Sequence, residues 1–134
     1  MGQGFANGVG IAIAARHLAA VFNEPQFPIV DNFIYGIVSD GDIMEGIAAE
    51  AASLAGHLGL GNLIYLYDCN NITIEGSTSL TFSKEDVARR FKAYGWQTIS
   101  VDGHNMDAVE KAIKTRNGNN KMPIILLMIN TMKM

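Results

Sequence analysis

The sequence has little of what marks disulfide-rich or nucleic-acid-binding proteins. Its 134 residues include one cysteine, which cannot form an internal disulfide and is typical of a reducing compartment. We therefore expect a cytoplasmic protein. Lysine and arginine number 10 against 13 acidic residues, for a net charge of −3. Because no long run of either sign occurs, the concentrated basic face that nucleic-acid binding needs is lacking, and we expect no nucleic-acid partner.

Membrane and targeting signals are also lacking. No apolar stretch approaches the roughly 20 residues that span a bilayer, and the first residues, Met1 to Ala6, contain no basic n-region. We therefore expect no membrane association. The composition, 49% hydrophobic and 17% charged, is that of a globular chain. The length suffices for one domain with a core and not for two.

Two apolar runs of strand length organise the chain, Phe33 to Val38 and Leu63 to Tyr67. Continuous apolar runs of this kind are typical of a parallel sheet covered on both faces. A stretch from about Ile43 to Leu58, with apolar residues at helical spacing, lies between them. Strand, helix and strand together predict one βαβ unit with parallel strands.

The remaining residues continue the alternation. The pattern predicts helices over 3–22, from a Ser83 N-cap to about Tyr94 and over 106–116, and strands over 96–101 and 124–129. This order predicts an α/β, three-layer domain with a mainly parallel sheet and helices on both faces. Small residues on one face of the first helix, such as Gly4, Gly8 and Ala12, indicate either tight core packing or close approach of a ligand or partner subunit.

Polar residues end both central strands. Asp40 follows the first strand and Asn70 the second, so both are expected at the carboxyl edge of the sheet, where open α/β sheets bind ligands. Their oxygens are hard ligands that suit Mg²⁺ or Ca²⁺, and the backbone carbonyl of Ile72 is well placed to add a third. Gly41 lets a phosphate approach its N–H closely. The pattern predicts a metal-bridged diphosphate, unless Asp40 and Asn70 are simply turn residues.

Ser39-Asp40-Gly41, followed thirty positions on by Asn70-Asn71, resembles the Gly-Asp-Gly…Asn motif of thiamin-diphosphate enzymes. The flanking sequence is similar to transketolases, for example in Gly41-Asp42-Ile43-Met44-Glu45-Gly46 and Ser53-Leu54-Ala55-Gly56-His57. The resemblance covers nearly the whole chain. Ser39 replaces the first glycine of the motif, and Cys69 stands where the family commonly has a second aspartate.

The resemblance implies a role for each site residue. Asp40, Asn70 and the carbonyl of Ile72 would bind the metal, and Gly41 would contact the diphosphate through its backbone. Ile74 would pack near the thiazolium ring, with ordinary core burial as its alternative. Glu45 would lie at a dimer interface, directed toward the glutamate that activates the cofactor; from the sequence alone it is a first-turn acid.

The function that the resemblance implies is transfer of a two-carbon ketol unit between sugar phosphates by a homodimer that binds thiamin diphosphate. Dihydroxyacetone synthase is a close alternative, and the donor and acceptor sugars stay open. The family's second domain, with the activating glutamate, is not in this sequence. We therefore expect residues 1–134 to be an internal fragment of the N-terminal diphosphate-binding domain, inactive alone. The alternative is a non-catalytic, truncated cofactor-binding or interaction module.

Overall fold

The computed structural model describes residues 1–115 and 121–130. The elements in these residues are α1 (Gln3–Phe22), β1 (Ile34–Ser39), α2 (Asp40–Ile43), α3 (Gly46–His57), β2 (Leu63–Cys69), β3 (Ile72–Thr73), β4 (Gly76–Ser77), α4 (Val87–Ala93), β5 (Gln97–Asp102), α5 (Met106–Lys114) and β6 (Ile124–Ile129), with a 3-10 helix at Thr78–Leu80. The alternation of strands and helices confirms the predicted α/β class.

The main sheet of the described residues has the order β1-β2-β6-β5 and is parallel throughout. The predicted βαβ unit is confirmed, because β1 and β2 are neighbours with Ser39 opposite Asp68. The strands β3 and β4 form a separate antiparallel hairpin directly after β2. This topology brings the end of β1 and the β3–β4 hairpin to the same edge of the sheet.

Helices cover both faces of the sheet, as predicted. Side chains alternate across a strand, so Tyr65 and Tyr67 of β2 face the large core cluster, while Leu66 faces the other side. The large cluster receives residues of α1, α3 and α4, including Phe5, Ala52 and Phe91. The opposite cluster is smaller and is formed mainly by Val109 and Ala112 of α5 with Leu126 of β6.

Tyr65 explains why small residues lie on α1. A Cβ added to Gly8 would lie 2.1 Å from the Tyr65 hydroxyl, and one added to Gly36 would lie 2.3 Å from its ring. The ring therefore fits between α1 and β1, where it stacks on Trp96 at 5.9 Å. Tight core packing is thus the correct alternative for Gly8, whereas a Cβ on Gly4 would meet nothing within 4 Å.

Two predicted helix starts were wrong. The helix predicted from Ile43 is divided into α2 and α3, and Glu45 is the extended N-cap of α3 rather than a first-turn acid. Asp42 accepts a hydrogen bond from the Ser39 N–H in a capping box, which starts α2 directly after β1, and the extended backbone of Glu45 separates α2 from α3. The helix predicted from Ser83 begins at Val87, because Asp86 caps it by accepting from the Arg89 N–H.

The expectation that no apolar stretch approaches the length needed to span a membrane was wrong. Helix α1 has 20 residues and is apolar enough to cross a membrane by length and composition. The core helix of a soluble protein can have the same length and apolar composition. Here Phe5, Val9 and Ala12 of α1 are buried in the large cluster. The expectation of no membrane association stays a prediction.

Among the described residues, the face of β1 opposite the large cluster is exposed at Tyr35 and Ile37. Gly36 meets the Tyr65 ring on the side of the large cluster, so its neighbours Tyr35 and Ile37 point to the other side. Ile37 is 79% exposed. β1 is also an edge strand of the described sheet. Helix α5 packs against β5 and β6, toward the other edge of the sheet.

Candidate functional site

Asp40 is the buried charge at the centre of the site. It is the first residue of α2, directly after β1, and is 5% exposed. Its Oδ1 accepts a hydrogen bond of 2.5 Å from the Tyr67 hydroxyl. Its Oδ2 accepts two more, of 3.1 Å from the Asn70 N–H and 2.9 Å from the Asn71 N–H. Three donors therefore compensate the burial of this carboxylate.

Asn70 is held by both ends of its side chain. Its Oδ1 accepts from the Ile72 N–H at 2.9 Å, which is the local turn that Asn side chains favour. Its Nδ2 donates to Asp68 Oδ2 at 3.0 Å, and Asn130 of the β6 end donates to the other oxygen of Asp68 at 2.5 Å. Asn71 completes the turn with a left-handed φ of 62°, a conformation that Asn tolerates.

The predicted pair is thus brought together, and the direct contact joins the Asp40 carboxylate to the Asn70 main chain. Asn70 has the turn role that the sequence left open as an alternative, whereas Asp40 begins α2. The turn role does not consume the ligand capacity of Asn70, because its carboxamide oxygen has a second lone pair. A metal shared by Asp40, Asn70 and the Ile72 carbonyl stays a prediction.

The chemistry of these donors fits a hard cation. One carboxylate, one carboxamide oxygen and a backbone carbonyl are ligands of the kind that Mg²⁺ and Ca²⁺ prefer. Across residues 1–115 and 121–130, no group of three or more His, Cys, Asp or Glu side chains is placed to hold a metal. A zinc-type site built from such residues is therefore not present in that part of the chain.

Gly41 and Asp42 shape the approach to Asp40. A Cβ on Gly41 would meet only the end of the Met1 side chain, at 3.4 Å, so only a flexible group lies beside this backbone. Asp42 accepts from the Ser39 N–H, the Ser39 hydroxyl and the Gly2 N–H. Partial burial raises the pKa of Asp42, but these hydrogen bonds outweigh it, so the pKa lies below its ordinary value.

The two residues assigned by resemblance, Ile74 and Glu45, make none of the hydrogen bonds described above for Asp40. Ile74 is 79% exposed in the turn between β3 and β4, so the alternative of core burial is wrong. Its contact with a cofactor ring stays a prediction. Glu45 is half-buried at the start of α3. A Cβ on Gly2, whose φ is +80°, would lie 2.7 Å from the Glu45 Cβ. The N-terminal residues therefore pack directly against Glu45.

The sequence interpretation missed Tyr67, which it treated only as a strand residue. The phenol is 1% exposed and binds Asp40 directly. Burial, reinforced by the hydrogen bond and the nearby negative charge, raises the pKa of Tyr67 far above its ordinary value, so the hydroxyl keeps its proton and donates. The available signal was its spacing: Tyr65 and Tyr67 lie two apart, so both hydroxyls fall on one face.

A cavity of about 470 Å³ opens beside these groups and is lined in part by Asp40, Tyr67, Cys69 and Asn71. This volume is within the usual range for small-molecule sites. Burial raises the pKa of the Cys69 thiol, which therefore stays protonated where a family aspartate would add a charge. Asp40 is accordingly the buried anion among those four residues.

Comparison with known proteins identifies the lineage. The family model described as transketolase, thiamine diphosphate binding domain, matches residues 1–133. The chain belongs to the transketolase family. It is 50% identical over 127 residues to the transketolase of Geobacillus stearothermophilus, covering 94% of this chain and 19% of that protein.

Two further comparisons agree with this membership. The chloroplastic transketolase of Zea mays is 50% identical over 133 residues, covering 98% of this chain and 20% of that protein. A crystal structure of Pichia stipitis transketolase in complex with sedoheptulose-7-phosphate aligns with a TM-score of 0.91 and 45% identity, covering 96% of this chain and 19% of that one. This transketolase-family chain thus spans about a fifth of the length of its relatives.

Proposed function

We propose that this chain supplies the metal and diphosphate anchor of a transketolase, which transfers a two-carbon ketol unit between sugar phosphates. The observation that carries the proposal is the buried Asp40 carboxylate, held by the turn at Asn70 and Asn71 where two parallel strands end. The family membership supports thiamin diphosphate as the ligand, since the matching domain is described as binding it.

Each residue has a distinct task in this proposal. Asp40, Asn70 and the Ile72 carbonyl hold Mg²⁺ or Ca²⁺, and the Gly41 backbone receives the diphosphate. Ile74 contacts the cofactor ring, and Glu45 lies toward the partner subunit and the activating glutamate. When bound, thiamin diphosphate supplies the carbanion chemistry of the reaction. The chain's own contribution is to position that group and to balance its charge.

Sugar-phosphate substrates and a homodimer are proposed on the same basis. The Pichia stipitis structure is a complex with a sugar phosphate, and we extend that ligand class to the enzyme to which this chain would contribute. We propose a cytoplasmic location. A maize relative named chloroplastic shows that the family also occurs in an organelle.

Calorimetric titration with thiamin diphosphate, with and without Mg²⁺, tests the anchor. We expect binding by residues 1–134 that requires the metal, and no ketol transfer in a coupled assay, because the activating glutamate is not in the sequence. Asp40→Ala should abolish the metal-dependent heat, since it removes the anionic ligand. Asp40→Asn, which keeps the shape and one acceptor oxygen, should also abolish it.

Asp102→Ala is the control for an aspartate at a strand end outside the proposed site. Asp102 likewise ends a parallel strand, β5, and accepts from a backbone N–H two residues on, at 2.9 Å from His104. It lies outside the proposed site, so its loss should leave the titration unchanged. Metal-independent binding, or metal-dependent binding by either Asp40 variant that equals that of the unsubstituted chain, would refute the anchor. Turnover by this chain alone would refute the predicted inactivity and, with it, the alternative of a non-catalytic module.

A further inference from the structure

We propose that Tyr67 is a positioning residue that fixes the Asp40 carboxylate in the orientation needed to bind the metal. The inference rests on the proposed function and extends it from the metal ligands to the group behind them. The two residues are 27 positions apart in the sequence and meet only because β1 and β2 are neighbours.

The hydrogen bonds of Asp40 leave a defined acceptor position. An ionised carboxylate offers about four lone-pair sites, two on each oxygen. Oδ2 accepts from two backbone N–H groups, and Oδ1 accepts from the Tyr67 hydroxyl alone. One site therefore remains, on Oδ1. The two N–H groups hold one oxygen, and the phenol sets the direction of the other.

The phenol is itself rigid. Tyr67 is 1% exposed and belongs to the large core cluster, so its ring cannot turn to follow a displaced carboxylate. The Asp40 side chain is 5% exposed and follows the edge strand β1 directly. Without the hydroxyl, Oδ1 would have no side-chain donor among the described hydrogen bonds. Groups that orient a metal ligand in this way typically contribute 10-fold to 100-fold in metal affinity.

Tyr65 provides an unusually close control. It lies two residues earlier on the same strand and is also 1% exposed. Its hydroxyl likewise donates at 2.5 Å to one acceptor, the Phe5 carbonyl. Tyr65→Phe and Tyr67→Phe therefore each remove one buried hydroxyl that donates a single hydrogen bond, from the same strand. Only Tyr67 contacts a proposed metal ligand.

The experiment measures Mn²⁺ binding through loss of the free-ion electron paramagnetic resonance signal, at fixed thiamin diphosphate and against a blank without protein. We expect Tyr67→Phe to raise the Kd for Mn²⁺ about tenfold or more, and Tyr65→Phe to change it less than about twofold. Every arm is repeated in a Gly10→Ala background. Alanine there meets no atom within 4 Å and favours the helix, which keeps a weakened variant folded.

The possible failures separate the two proposals. If the unsubstituted chain does not take up Mn²⁺ above the blank, the proposed anchor is refuted, and the role of Tyr67 with it. If Mn²⁺ binds and Tyr67→Phe leaves the Kd within twofold, or tightens it, the positioning role alone is refuted. An equal loss in both phenylalanine variants would show a general effect of stability and would also refute it.

Discussion

Asp40 connects three parts of the chain through one carboxylate. It begins α2, holds the main chain of Asn70 and Asn71, and accepts from a phenol of the sheet core. A single residue thus serves turn geometry and the proposed ligand chemistry together. Its importance as a candidate ligand could be predicted from the sequence, because an acid after an apolar strand and a spaced asparagine form a readable pattern. The contact of the Tyr67 phenol with Asp40 could not be predicted, since the sequence around a buried strand tyrosine does not indicate its hydrogen-bond partner.

Gly8 and Gly10 offer a test of packing at the residue scale. Both lie in α1, but a Cβ on Gly8 would lie 2.1 Å from the Tyr65 hydroxyl, whereas one on Gly10 would meet nothing within 4 Å. We expect Gly8→Ala to lower the free energy of unfolding by about 1–3 kcal/mol through overpacking. Gly10→Ala should raise it by about 0.5–1 kcal/mol through helix propensity. Urea unfolding followed by circular dichroism measures both.

The pair is its own control, since each variant adds one methyl group to the same helix. Equal shifts of the same sign would contradict the proposed insertion of Tyr65 between α1 and β1.

At the scale of elements, the four strands of the main sheet and the helices between them followed from apolar periodicity, while the β3–β4 hairpin, the division between α2 and α3, and the start of α4 did not. Ser83 and Asp86 are both residue types that cap helices, and their order in the sequence does not decide between them. The structure chooses Asp86, because its carboxylate reaches the Arg89 N–H at 3.0 Å. The early start of α2 likewise depends on the capping contact of Asp42 with Ser39, which the pattern of apolar residues cannot predict.

The start of α4 can be tested directly. Asp86→Ala should cost about 1 kcal/mol of unfolding free energy, the usual effect of losing an N-cap. Ser83→Ala, which lies outside the helix, should change it by less than about 0.5 kcal/mol. Thermal and urea unfolding would measure the two variants side by side. A larger loss from Ser83→Ala would restore the boundary expected from the sequence.

At the scale of the whole molecule, the two faces of the sheet differ in the size of the hydrophobic cluster that covers them. The face covered by α1, α3 and α4 holds most of the buried aromatic side chains, including Trp96, whose indole N–H donates to the Ala52 carbonyl at 2.8 Å. The other face has a small cluster under α5. The sequence predicted two covered faces, because its strands are continuously apolar, but the inequality comes from which helix reaches which strand.

This difference in packing between the two faces predicts that their helices unfold locally at different rates. We expect the backbone amides of α5 to exchange with deuterium at least about tenfold faster than those of α3, because fewer buried apolar contacts oppose local unfolding of α5. Native-state hydrogen exchange resolved by nuclear magnetic resonance measures both helices in one sample. Val109→Ala should increase the exchange rate of the α5 amides and leave that of the α3 amides unchanged. Equal protection of the two helices would show one cooperative unit instead.

The position of β1 carries a final consequence. It is an outer strand of the described sheet, with Tyr35 and Ile37 open on one side, and Asp40 is the residue that follows it. A strand at this margin presents unpaired N–H and C=O groups to any segment that can pair with them. A segment that extends the sheet here would end or begin within a few ångströms of the candidate ligands. Extending the sheet and enclosing the proposed metal site would then occur together.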